Sequence, residues 1–78
     1  MEHVLKYLVG KRLAEMRENE MQLSQVKFAR VAGISLSHLR SIENGETDIQ
    51  LDTFERLIDA LGVTPVEFYS GINYKKQQ

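Results

Sequence analysis

The side chains with chemistry to offer gather in one stretch, LSQVKFARVAGISLSHLRSIENG, residues 23–45. Its second half crowds Ser35, Ser37, His38, Arg40, Ser41 and Asn44 into one short segment. A helix face meant only for solvent favours Glu, Lys or Ala, which have better helix propensity than serine. Short hydroxyl side chains instead let a backbone come close to base edges, and they hydrogen-bond to several bases. The chemistry on offer is recognition. The sequence holds no nucleophile–base pair, metal cluster or phosphate loop, so an enzyme is not expected. It has no cysteine and only two histidines, His3 and His38. Neither a disulfide nor a thiolate metal site is open to it, and no cofactor or small-molecule ligand is evident.

Five helical segments must hold that stretch, and no sustained period-two alternation marks a strand. The first helix is expected over Val4 to Glu18, with Leu5, Leu8, Val9, Leu13 and Met16 on one face. Gly10 interrupts it at a cost of about 1 kcal/mol relative to Ala, which close packing against a neighbour would explain. Asn19 to Gln22 form the first connection. Ser24 can cap a second helix that runs to Ala32, and Ser35 a third that runs to about Asn44. Gly33 supplies a positive φ between them, and Gly45 stops the third. The fourth helix, Leu51 to Leu61, shows an apolar stripe of Leu51, Phe54, Leu57, Ile58 and Leu61. Thr64-Pro65-Val66-Glu67 opens a fifth, with Thr at the N-cap, Pro at N1 and Glu at N3. Residues 73–78 form a polar tail.

Seventy-eight residues are expected to fold as a single domain, 1–78. A chain of that size buries only about 60 % of its unfolded surface. Stability must come from packing and caps. No apolar run approaches the roughly 20 residues of a membrane span. The N-terminus lacks a signal-peptide core and cleavage site, so a cytoplasmic location without membrane contact is expected. The net charge of −1 is unevenly spread. Residues 1–31 carry six bases and four acids, and residues 32–70 carry two bases and seven acids.

The ordered set of these residues resembles the lambda-repressor-like helix-turn-helix family, the XRE or Cro type. The likeness covers about residues 9–69. It runs through Val9-Gly10, Leu13, Met16-Arg17, Leu23-Ser24-Gln25, Phe28-Ala29 and Ala32-Gly33-Ile34-Ser35. It continues with Leu39, Ile42-Glu43, Gly45, Leu51, Phe54, Leu57, Ala60-Leu61-Gly62-Val63 and Phe68. The resemblance implies an all-α, compact five-helix fold with its helix-turn-helix at about 24–44. In that family the second motif helix enters the DNA major groove while the first crosses the backbone. Carried over by position, Ser24, Gln25 and Lys27 lie at the start of the backbone-crossing helix, where free N–H groups suit a phosphate. Gln25 can also brace the reading helix. Ser35, Leu36, Ser37, His38 and Ser41 fall on the reading face, Arg40 on its flank and Asn44 at its end. Each has a plainer alternative: Ser24 and Ser35 are caps in any case, and Leu36 either packs on a thymine methyl or folds back onto the protein. Arg17 and Glu43 resemble the family's buried ion pair between helices one and three.

The sequence departs from the family in three places. Leu36 stands where Gln or Arg is frequent. The loop after the reading helix holds Glu46 and Asp48 instead of bases. One extra residue lies between Arg17 and Ser24. The resemblance implies a transcriptional regulator that binds operator DNA as a homodimer, of the phage-repressor or restriction-modification controller kind. Val66, Tyr69 and Ile72 are the first candidates for the dimer patch and the N-terminal turn of Val4, Tyr7 and Leu8 the second, unless all of these close the monomer core. The acidic second part keeps one alternative open: a protein-interaction module on the same fold, of antitoxin or anti-repressor type.

Overall fold

Apolar residues at helical spacing do form the first helix, α1, over Leu5–Glu15, with Val9 and Leu13 buried. The computed structural model describes residues 4–75; His3 and tail residues 76–78 lie outside the described residues. The connection expected at 19–22 is helical instead. The chain leaves α1 directly into a π-helical turn, Met16–Met21. The Arg17 carbonyl accepts from the Gln22 N–H there, and from the Leu23 N–H at 3.1 Å. A π turn spans one residue more per hydrogen bond than an α turn. That is the geometry that would take up the one extra residue the resemblance implies between Arg17 and Ser24. Gln22 ends the turn at a φ of 55°, a left-handed conformation uncommon outside glycine.

The next two helices are α2, Gln25–Ala32, and α3, Leu36–Glu43. Both start on the expected serines. The Ser24 hydroxyl accepts from the Lys27 N–H at 3.2 Å, and the Ser35 hydroxyl from the His38 N–H at 3.0 Å. Between them Gly33 takes a φ of 75°. The Gly33 and Ile34 N–H groups both close on the Ala29 carbonyl, at 2.9 and 3.0 Å. The turn is thus fixed by two backbone bonds and one residue free to be left-handed.

Helices α4, Leu51–Leu61, and α5, Pro65–Ser70, complete the fold, and no strand occurs among the described residues. At the start of α5 the Thr64 hydroxyl accepts from the Glu67 N–H at 3.1 Å. The Glu67 carboxylate accepts in return from the Thr64 N–H at 2.8 Å. Leu13, Phe28, Leu39, Ile42, Leu57 and Phe68 lie fully buried in one core that all five helices share. Phe68 meets Phe54 edge to face at 5.3 Å. Arg12 ties α1 to α5, donating from Nε to the Phe68 carbonyl at 2.8 Å.

Two residues of the expected apolar stripes lie in solvent. Leu5 of α1 is 44 % exposed. Leu51 does not belong to the buried stripe of α4: it is 84 % exposed. It opens the helix a full turn before Phe54, at the rim of the core, so correct helical spacing still leaves it in solvent.

Candidate nucleic-acid interface

The two faces of α3 are set by its period. Leu39 and Ile42 point into the core and are fully buried. Opposite them, Ser37, Ser41 and Asn44 follow one another at i, i+4 and i+7 along the outer side. Ser37, Arg40 and Asn44 are exposed, while Ser41 and His38 are half-buried. Leu36 is half-buried too, a flank position between the core and the outer stripe. Its apolar side chain is thus partly sheltered by the protein. At the neighbouring end of α2, Ser24 and Lys27 are exposed and Gln25 is half-buried. The basic side chains around this surface, Lys27, Arg30 and Arg40, are exposed, as are the acids Glu46 and Asp48 in the following loop.

The core side of α3 is anchored by charge as well as by packing. Arg17 donates from Nε to Glu43 Oε2 at 2.7 Å and from Nη2 to Glu43 Oε1 at 3.0 Å. This two-pronged pair is the geometry in which Arg and carboxylate match best. Both side chains are buried, with 7 % and 5 % of their surface exposed. Arg17 Nη1 also donates to the Leu23 carbonyl at 2.8 Å, so the pair holds the entry to α2. The hydrogen bond to Glu43 pushes the Arg17 guanidinium further up from its ordinary value, against the opposing effect of burial. Gln25 completes the cluster, donating from Nε2 to Glu43 Oε1 at 2.8 Å. Its side chain therefore ties α2 to α3.

Residues 13–68 match the Helix-turn-helix family model, most of the chain's length. The chain belongs to the helix-turn-helix family. Among its relatives, the control protein C.MunI from Mycoplasma sp is 32% identical over 68 residues, covering 87% of this chain and 92% of that protein. The control protein C.BamHI from Bacillus amyloliquefaciens is 29% identical over 65 residues, covering 83% and 80%. Among solved structures, the restriction-modification controller protein C.AhdI from Aeromonas hydrophila is 29% identical. It aligns at a TM-score of 0.78 over 85% of this chain and 98% of that one.

The helix-turn-helix proper is α2, the Gly33 turn and α3. The remaining candidate residues lie in and just after α5, outside the helix-turn-helix in sequence. Val66 is 79 % exposed and Tyr69 43 % exposed, whereas Ile72 is half-buried against the core. Tyr69 leans on Phe54 with ring centres 5.5 Å apart. Leu51, one turn before Phe54, adds an exposed apolar residue that its place in a regular stripe had hidden. A first-turn position was the one available sign. No helix among the described residues is long and apolar enough to cross a membrane.

Proposed function

We propose that this helix-turn-helix protein is a sequence-specific transcriptional regulator that binds operator DNA as a homodimer. Its kind is the restriction-modification control protein, as its relatives are named. The observation that carries the proposal is α3 itself: its inner side is locked by Leu39, Ile42 and the Arg17–Glu43 pair. Its outer side offers short polar groups with nothing packed over Ser37 and Asn44. In this reading α3 lies in the major groove, with Ser35, Leu36, Ser37, His38 and Ser41 toward base edges. Arg40 and Asn44 reach the flanking backbone. Ser24, Gln25 and Lys27 bring the start of α2 to a phosphate, where its free N–H groups favour an anion. The protein works in the cytoplasm, as a binder with no catalytic step.

Few cations line this face, so one α3 alone holds DNA weakly. Two copies on half-sites about one helical turn, roughly 34 Å, apart multiply the contacts. Leu51, Val66 and Tyr69 form the dimer patch. Val66→Glu places a charge in it and is expected to give a folded monomer by sedimentation with much weakened operator binding. A dimer unchanged by that substitution would move the interface elsewhere.

The direct test titrates the protein against the DNA upstream of its own coding sequence at two salt concentrations. A shift selective over unrelated duplex, weaker at higher salt, is expected, because each phosphate neutralised releases counterions. No selective shift with a flat salt response would sink the proposal. Within that assay Ser37→Ala is expected to weaken specific binding by about 1 kcal/mol and leave non-specific binding nearly intact. Equal loss on both would show that Ser37 reads no base.

A further inference from the structure

Gln25 lies between two groups that leave its amide one orientation. On one side is the buried Glu43 carboxylate, which accepts from Gln25 Nε2 at 2.8 Å while Arg17 holds both of its oxygens. On the other side Arg40 donates from Nε to Gln25 Oε1 at 3.4 Å. An ionised carboxylate only accepts and a guanidinium only donates. Turning the amide over would set acceptor against acceptor and donor against donor. Four side chains, Arg17, Glu43, Gln25 and Arg40, thus form one directed chain from the interior to the exposed flank of α3. Arg40 makes no ion pair among the described residues. Its Nε is engaged by Gln25, which leaves both Nη groups for another partner.

We propose that Gln25 is a positioning residue for Arg40. It turns the guanidinium so that the free Nη edge meets a DNA phosphate beside the reading helix. The buried Arg17–Glu43 pair sets the direction of the amide that does this. Two parallel N–H groups on a planar fork suit a phosphate, and a fork already oriented loses less freedom on binding. The inference rests on the reading that α3 meets DNA, and it moves Gln25 from a contact of its own to the support of another residue's contact.

The test uses Gln25→Met, which keeps the length of the side chain and removes both ends of the amide. Affinity for the upstream duplex is measured across a range of salt for the wild type, Q25M, R40A and the double variant. Gln25 carries no charge. Even so, Q25M is expected to lower the salt slope by about one, as R40A does, with the double variant also down by about one. Affinity falls in Q25M but no further when Q25M is added to R40A. In the free protein, exchange of the Arg40 Nε–H with solvent is expected to speed up in Q25M, a readout that needs no DNA. An unchanged slope in Q25M beside normal wild-type binding overturns this inference alone. So does a loss in Q25M that multiplies with that of R40A, since Gln25 would then touch the phosphate itself. Wild-type protein without salt-dependent binding to any duplex overturns the regulator reading, and this inference with it.

Discussion

Gly10→Ala is expected to lower the melting temperature by about 8–16 °C, although alanine is the better helix former. A Cβ at residue 10 would collide with the Ile42 carbonyl oxygen and lie 3.0 Å from the Glu43 carbonyl oxygen. Both partners are backbone, at the last turn of α3, so no rotamer change can relieve the overlap. Overpacking of this sort costs typically 1–3 kcal/mol, and a backbone collision belongs at the upper end of that range. The gain in helix propensity returns about 1 kcal/mol. The balance is a loss of about 2 kcal/mol, and each kcal/mol shifts the midpoint of so small a domain by about 4–8 °C. Since the displaced element is α3, binding to DNA should fall along with stability. A thermal melt within a few degrees of the wild type would show that the two helices are not in backbone contact at this point.

The glycine illustrates which parts of this fold the sequence carries openly. A costly residue in a strongly periodic helix announced close approach, though not the identity of the neighbour. The caps were equally legible, because Ser24, Ser35 and the Thr64–Glu67 pair act within three residues of themselves. Leu51 departs from its stripe because periodicity assigns a face and is silent about where the core ends. The π-helical turn was hidden for a related reason: residues 16–21 hold no glycine or proline to mark a change of pitch. The surplus of one residue before Ser24 was visible, but a longer loop would have accommodated it as well. The Gln25–Arg40 contact depends on two side-chain conformations across two helices, which spacing alone does not determine.

These parts meet at Glu43. α1 and α3 come close enough for backbone contact at Gly10, and that closeness brings the π-helical turn's Arg17 within reach of the last residue of α3. The π turn continues past Arg17 to Met21, so the path to α2 is set after the guanidinium is placed. Arg17 then serves three segments at once: its own turn, the Leu23 carbonyl ahead of α2, and α3 through Glu43. The placement of α3 and of Gln25 is therefore tied to one buried cation.

Removing that cation is expected to have the largest effect of all. Arg17→Met leaves Glu43 buried without its partner, and breaking one side of such a pair costs about 3–5 kcal/mol. Against a total stability of about 5–15 kcal/mol for a folded domain, the variant should be largely unfolded well below the wild-type midpoint. The Glu43 bond raises the Arg17 pKa, with burial opposing it. A raised pKa contributes stability in full below the ordinary arginine value and loses it only as pH climbs through the raised one. Measurements near neutral pH therefore see the whole effect. The double variant Arg17→Met with Glu43→Leu separates the two jobs of the pair. Replacing both charges by apolar groups of similar volume is often neutral or stabilising, so the melting temperature should recover most of the loss. Binding to DNA should not recover, because Gln25 then has no carboxylate to direct its amide. Recovery of both would mean that the pair is dispensable for recognition and that packing alone orients α3. Recovery of neither would mean that the Arg17 bond to the Leu23 carbonyl, which the double variant also lacks, carries the stability.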